Sequence, residues 1–406
     1  MPPDSPPRTG RLDSIDTMRG LVMVLMALDH ARDYFGNLPL FELNALQWKS
    51  ADVFFTRFVS HFCAPTFVLL AGTGAFLAGT RGKTRGQLAW FLATRGLWLI
   101  VLEHTLVHVS WFAQWNPGVL VAGVIWAIGC SMVILAALIW LPARAIGLLG
   151  VVIIGMHNLL DGLPLSDWGP FCQAADFCCN FVVVPYAQVG SGTVDGLFTF
   201  QGLQPQTKWI FVHAYPFIPW FGVMALGYGL GPLFLEDESE RRRRLLAIGL
   251  LFTVAFVVLR AWNIYGDPRP WQMHADPMKS LQDLLHCEKY PPSLSYVLMT
   301  VGPMLMLLAF LPDRAPRWLG PVVTFGRVPL FFYLLHLVVL HLGAAAVTYL
   351  MTGVVTFQYV PAPAGPHLNL AGVYIAWLTA LFVLYWPCRW YAGVKKRHPG
   401  GILSYL

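Results

Sequence analysis

Several stretches of this chain stay apolar for about twenty residues, the length a helix needs to cross a bilayer. The chain is 56% hydrophobic and only 12% charged, with a mean hydropathy of +0.58. Soluble domains carry roughly 25% charged residues. A β-barrel would show alternating segments of about ten residues instead of long runs. The composition therefore predicts an all-α, polytopic integral membrane helical bundle. The net charge of +6 lies in short basic connections between apolar runs. That pattern suits loops facing anionic lipid and argues against nucleic acid.

The runs predict about ten membrane helices, at about 17–36, 53–80, 88–112, 119–141, 145–160, 209–235, 245–264, 294–311, 321–350 and 369–391. The fifth is short, and Pro329 interrupts the ninth. Arg8 and Arg11, "RGKTRGQ", Arg144, "EDESERRRR", "PDRAPR" and "VKKRHPGG" all fall on one side of such a bundle. The positive-inside rule then makes both termini cytoplasmic. The organisation read from this is a Pro-rich tail over 1–13, one membrane domain over 14–394 and a basic tail over 395–406. The N-terminus has no signal-peptide cleavage pattern, so the first helix is expected to stay. Long loops fall on the outer side, at about 37–52, 161–208, 265–293 and 352–368; loops of this length are more often functional than connecting.

The histidines segregate. His30, His61, His104, His108, His157, His213, His336 and His341 all fall toward the outer ends of their helices. Ionisable groups inside a membrane are costly and face a cavity or one another. Imidazole also transfers protons near neutral pH. The set therefore points to an outward polar pocket, against the plainer reading that each caps a helix at the interface. Carboxylates stand nearby: Glu103 before His104, Asp161 four residues after His157, and Asp29 and Asp33 around His30. Neighbours in sequence do not face each other on a helix, whereas residues three apart do. Asp33 is thus the better geometric partner for His30 and Asp29 the poorer.

The inner half differs. Asp16 and Arg19 are spaced to pair, and Arg95 and Arg327 sit just inside the inner interface. Arg19, Arg95 and Arg327 are candidate anchors for an anionic group, with snorkelling to lipid phosphate as the alternative. No phosphate loop or dinucleotide fingerprint is present. Cys172, Cys178, Cys179 and Cys287 lie in outer loops, where a disulfide or free thiols are both open. Cys63, Cys130 and Cys388 read as core fillers. Small residues in "GTGAFLAG" and "GVMALGYGLG" read as helix contacts.

Two segments then carry a resemblance. "RLDSIDTMRGLVMVLMALDH" followed by "HFCAPTFVLLAGTGAFLAG" resembles the catalytic domain of heparan-α-glucosaminide N-acetyltransferase, and more closely its bacterial relatives. "HNLLDG", "YPFIPWFGVMALGYGLG", "KYPPSLSYVLMTVGP" and "FGRVPLFFYLLH" extend it to nearly the whole chain. The resemblance implies a transmembrane acyltransferase that takes acetyl from acetyl-CoA and passes it across the membrane to a sugar. It places His30 where the eukaryotic enzyme has a functionally important asparagine. One departure matters. The eukaryotic catalytic histidine lies in the loop after the first helix, and here "GNLPLFELNALQWKSADVFF" contains none. The role falls to His30 or His61, or the bacterial branch runs different chemistry.

The expectation is an acetyl-CoA-dependent N- or O-acetyltransferase of the bacterial inner (cytoplasmic) membrane, acting on an envelope sugar or glycan. His30 is the first candidate for general base, oriented by Asp33 or Asp29; His61 is second and His336 third. Arg19, Arg95 and Arg327 are candidates for the donor phosphates. The scheme calls for no metal. Membrane lipids and the glycan acceptor are the expected partners, with a homo-oligomer left open. A transporter or flippase for a polar envelope precursor is the alternative, and a non-catalytic scaffold the third reading.

Overall fold

The computed structural model describes residues 12–36, 50–113, 115, 119–160, 210–213, 215–354 and 367–398. Its helices are α1 (Asp13–Phe35), α2 (Ala51–Phe58), α3 (Cys63–Gly79), α4 (Arg85–Leu102), α5 (His108–Phe112), α6 (Val124–Leu138) and α7 (Ala143–Met156). They continue with α8 (Phe217–Leu230), α9 (Glu238–Trp262), α10 (Pro277–Leu285), α11 (Leu294–Phe310), α12 (Gly320–Arg327), α13 (Pro329–Thr352) and α14 (Leu370–Arg397). A 3₁₀ turn, Val59–Phe62, fuses α2 to α3, and a π-helical turn, Glu103–Val107, fuses α4 to α5. Side-chain caps mark several starts. Thr84 and Gln87 form a reciprocal capping box on α4, Ser293 accepts from the Tyr296 N–H on α11 and Asn369 from the Gly372 N–H on α14.

Among the described residues, six helical segments are long and apolar enough to cross a membrane: Ala51–Gly79, Arg85–Phe112, Phe217–Leu235, Glu238–Trp262, Pro329–Thr352 and Leu370–Arg397. Val124–Leu138, Ala143–Leu159 and Leu294–Phe310 are shorter apolar helices. Helix α1 is 23 residues long but carries Asp13, Asp16, Arg19, Asp29, Arg32 and Asp33. The architecture is an all-α integral membrane bundle. Large apolar side chains stand exposed along α4 (Trp90, Leu97), α9 (Leu250, Leu251, Val257) and α14 (Ile375, Phe382, Trp386). Around a membrane protein, such faces meet lipid.

Helices α1, α8 and α11 form the interior. Helix α1 packs on α3, α12, α13 and α14, while α8 packs on α3, α6 and α7, and α11 on α9. Lipid tails are as apolar as Leu, so helices here associate through close packing. The small residues do this as expected: Gly72 of α3 meets the Met224 carbonyl of α8, and Gly227 of α8 meets the Leu69 carbonyl of α3.

The bundle has two distinct ends. At one, the Asp13 N–H donates to the Asp313 carbonyl at 3.1 Å, Arg241 reaches Asp313 at 2.8 Å, and Arg85 donates to the Trp140 carbonyl at 2.9 Å. At the other, the Leu368 N–H donates to the Phe35 carbonyl at 2.8 Å, Tyr265 Oη to the Gly155 carbonyl at 2.7 Å, and the Leu294 N–H to Asn158 Oδ1 at 2.8 Å. Basic connections gather at the first end and histidine-bearing helix ends at the second.

Several boundaries differ from expectation. Residues 119–122 and 210–213, expected to start helices, instead form β1 (Val119–Ala122) and β2 (Ile210–His213), a parallel pair with Val119 opposite Ile210. Gly123 and Pro216 separate these β-branched stretches from the helices that follow. The expected helix 321–350 is two helices, α12 and α13, because Pro329 cannot donate into a continuing ladder. Helix α9 starts at Glu238, seven residues early, where Glu240 pairs with Arg243 and Arg244 at 2.8 and 2.7 Å.

Candidate active site

The histidine end of α1 is held by a buried ion network. Arg57 of α2 grips Asp29 through Nη1, at 2.5 Å from Oδ1 and also in contact with Oδ2. Arg32 Nη2 donates to Asp33 Oδ1 at 2.5 Å and to Asp29 Oδ1 at 3.2 Å. All four side chains are buried. Charges taken out of water need partners, and here two guanidiniums answer two carboxylates. This corrects the expected role of Asp33. Neither Asp33 nor Asp29 orients His30 by a hydrogen bond, because charge-assisted bonds to arginine outcompete a neutral imidazole N–H.

The partner of His30 is His336 of α13. His30 Nδ1 lies 2.6 Å from His336 Nε2, with the rings stacked at 4.9 Å. His336 Nδ1 lies 3.1 Å from the Phe332 carbonyl oxygen. That oxygen only accepts, so His336 Nδ1 carries the proton and its Nε2 is the acceptor. His30 Nδ1–H therefore donates to it, and neutral His30 presents a lone pair at Nε2. His336 is fully enclosed, whereas His30 is only partly buried. Trp111 packs edge-on against His30 at 4.7 Å, and Tyr34 stacks on Trp111 at 5.9 Å.

His61 lies close by. Its Nδ1 is 3.1 Å from the Arg57 carbonyl, and its ring packs between Phe58 and Tyr296. Tyr296 Oη donates to the His61 carbonyl at 2.8 Å. His61 is thus tied to the same helix turn that supplies Arg57. His341 packs on Tyr34 at 5.3 Å. His157 instead ties α7 to the Pro292 carbonyl through Nε2, at 2.7 Å. Asp161 and the side chain of His213 lie outside the described residues, as do Arg8, Arg11, Cys172, Cys178 and Cys179; Cys287 is buried. Cys63 and Cys388 are buried in the packing and Cys130 is half-buried.

Sequence reasoning missed three contributors. Arg57 sits four residues before His61 in "TRFVSHF", a spacing that shares a helix face. Lys289 and Tyr290 come from the connection between α9 and α11, inside "KYPPSLSY". Lys289 is buried, and its ammonium is close enough to act electrostatically on Asp29, His30 and His61. A buried arginine builds this connection: Arg260 donates to the Leu284, Asp283, His286 and Arg269 carbonyls. Asp267 accepts from Ser293 Oγ at 2.7 Å and from the Glu288 N–H at 2.9 Å. The loop is thereby a fixed part of the site.

Glu103 also has a different role from the one its position beside His104 suggested. Its carboxylate accepts from the Trp126 N–H at 3.0 Å and from the N–H groups of Gly123 and Ile125. It caps the positive N-terminal end of α6. Gly123 makes room: a Cβ there would lie 2.5 Å from Glu103 Oε1.

At the opposite end, Arg19 and Arg327 come together around acids. Arg327 Nη2 is 3.0 Å from Asp13 Oδ1, and its Nε is 3.8 Å from Asp16 Oδ2. Arg19 lies 3.7 Å from Asp16 Oδ1 and donates to the Leu70 carbonyl at 3.1 Å. Arg95 lies over the Phe91 ring of its own helix at 5.9 Å. Among the described residues, no group of three or more His, Cys, Asp or Glu is placed to hold a metal ion.

The profile of the family described as heparan-alpha-glucosaminide N-acetyltransferase, catalytic, matches residues 11–261. The chain belongs to this family. The match runs from before α1 to the end of α9, so it holds Asp29, His30, Arg57, His61 and Glu103. The N-acetyltransferase-family region supplies one side of the site, and His336, Lys289 and Tyr290 come from beyond it. No curated protein matches the chain.

Proposed function

We propose that this chain is a transmembrane acetyltransferase that takes acetyl from acetyl-CoA and passes it to an envelope sugar or glycan on the far side of a bacterial inner membrane. The reading takes ten crossings: the six long apolar helices, the three shorter ones and α1. It sets both termini and the basic end in the cytoplasm. The observation that carries it is the His336–His30 relay, which leaves a lone pair on a partly buried imidazole in a chain of this family.

In this scheme His30 Nε2 takes the proton from the acceptor hydroxyl or amine as that atom attacks the thioester carbonyl. His336 positions His30 and fixes its tautomer; both its nitrogens are already engaged, which makes it a poorer base. His61 is the second candidate base. Asp29 and Asp33 act through Arg57 and Arg32, holding the end of α1 in register with α2. Arg19, Arg327 and Arg95 hold the phosphates of CoA at the basic end, Arg19 and Arg327 by exchanging their acidic partners for the ligand. Acetyl-CoA is the only cofactor required.

The test is purified chain with acetyl-CoA labelled in the acetyl group. Binding and slow hydrolysis without acceptor are expected, together with loss of an acetyl group from the envelope glycans of cells lacking the gene. A chain that neither binds nor turns over acetyl-CoA would replace this reading with transport of a polar envelope precursor.

A further inference from the structure

The carboxylates around Lys289 are already engaged. Arg57 and Arg32 hold Asp29 and Asp33. The connection between α9 and α11 carries Asp267, Asp276, Asp283 and Glu288. Asp267 lies 3.6 Å from Arg260, Glu288 2.9 Å from Arg269 and Asp283 2.9 Å from His274. Asp276 caps α10, accepting from the Met278 N–H at 2.9 Å.

Lys289 is the cation left over. Its side chain is buried, with the residue only 5% exposed, and among the described residues it forms no ion pair. Its neighbour is a neutral ring: Nζ lies 5.1 Å from the Tyr290 centroid. A ring face offers an ammonium less than a carboxylate does. Lysine normally carries its charge out to water along a flexible stem. Here it belongs to the connection that Arg260 anchors, and it is bridged to Pro292, whose carbonyl is held by His157. A run of ring contacts leads from there to His61. Tyr290 meets Tyr215 at 5.3 Å, Tyr215 meets Trp220 at 5.4 Å, and Tyr296 lies 6.5 Å from Trp220 and 5.7 Å from His61. The Lys289 charge accordingly acts on His61, His30 and Asp29.

A buried charge is costly unless something pairs with it. The fold supplies carboxylates for Arg32, Arg57, Arg260 and Arg269 and none for Lys289. We propose that Lys289 is the binding residue for an anionic group, a carboxylate or phosphate, on the molecule that enters at the histidine end. A compact ammonium with three rotatable donors suits either group. On the acetyltransferase reading above, that molecule is the acceptor, so the acceptor is an acidic sugar. The donor phosphates belong to Arg19, Arg327 and Arg95 at the opposite end of the bundle.

The proposal is tested with full-length protein in phosphatidylcholine vesicles, which carry no net charge. Thermal unfolding against sugar concentration gives the affinity for glucosamine 6-phosphate, glucuronate and glucosamine. Wild type should bind the two acidic sugars about tenfold or more tighter than glucosamine. Lys289→Met should bind all three alike and keep its Kd for acetyl-CoA within about threefold of wild type. Without ligand, the variant should unfold at the wild-type temperature or above, since an apolar side chain replaces an unpaired buried charge. Equal binding of the three sugars by wild type, or a preference that survives in Lys289→Met, overturns the site. So does a variant that unfolds more than about 4 °C lower, because the fold itself would then pair the charge. Stabilisation by phosphatidylglycerol vesicles that needs Lys289 assigns the charge to a lipid headgroup, and a weakened acetyl-CoA Kd assigns it to the donor; either result overturns the acidic acceptor. A Lys289-dependent preference for acidic sugars in a chain that never turns over acetyl-CoA overturns the acetyltransferase reading and leaves the anion site standing.

Discussion

Arg57 holds Asp29, and removing it has a calculable consequence. In Arg57→Met, Asp29 keeps one hydrogen bond, at 3.2 Å to Arg32 Nη2, the same nitrogen that lies 2.5 Å from Asp33, with the Lys289 charge acting on it from the α9–α11 connection. Two buried carboxylates then share one donor atom. Removing one partner of a buried ion pair costs about 3–5 kcal/mol, roughly two to four factors of ten in the folding equilibrium. Asp29→Asn leaves Arg57 uncompensated instead, at a similar cost. The double variant removes both charges and should be more stable than the sum of the two losses predicts, with a coupling of about 2 kcal/mol or more. Denaturant unfolding in detergent micelles, followed by tryptophan fluorescence, measures all four corners of the cycle. Single-variant losses that add to within about 0.5 kcal/mol would refute the network as the contact that docks α2 on α1.

Three further outcomes follow from the geometry. His336→Leu removes the acceptor of the His30 Nδ1–H and should lower acetyl-CoA turnover about 10²-fold, while His336→Gln, which offers a carbonyl oxygen, should retain more; equal losses would argue against the relay. Gly123→Ala pushes the Glu103 carboxylate off the start of α6 and should cost about 1–3 kcal/mol in unfolding experiments, whereas unchanged stability would contradict the cap. Burial, with Arg269 adding to it, pushes His286 down from 6.5 to about 4. Between those values the unfolded chain binds a proton that the folded chain does not, so stability falls on acidification, by at most about 2 kcal/mol at pH 5. His286→Gln should flatten that slope; an unchanged slope would assign it to another group.

The sequence made some parts of this architecture readable and concealed others, for physical reasons. Apolar runs of bilayer length located the helices because period and length are local properties. The histidine clustering was legible because depth along a helix follows from counting residues. What pairs with what was not. His30 and His336 are far apart in the chain, and only the packing of α13 on α1 joins them. The i+3 rule correctly put Asp33 and His30 on one helix, but it ignored Arg32 and Arg57, which claim both carboxylates. Strands β1 and β2 are four residues each, too short for periodicity to register against adjoining helices. Lys289 and Tyr290 lie in a polar loop whose fold depends on buried Arg260, and no local pattern announces that. Small residues in α3 and α8, by contrast, foretold their crossing, since close approach is what Gly permits.

The central claim is that His30, with its tautomer fixed by His336, is the base of an acetyl transfer. Acetyl-CoA turnover by purified His30→Ala, measured at matched donor binding, tests it most directly. The account predicts that kcat falls by about 10²-fold or more while the donor Kd stays within about threefold of wild type. Turnover preserved at the wild-type rate would contradict it and move the base to His61 or outside this cluster.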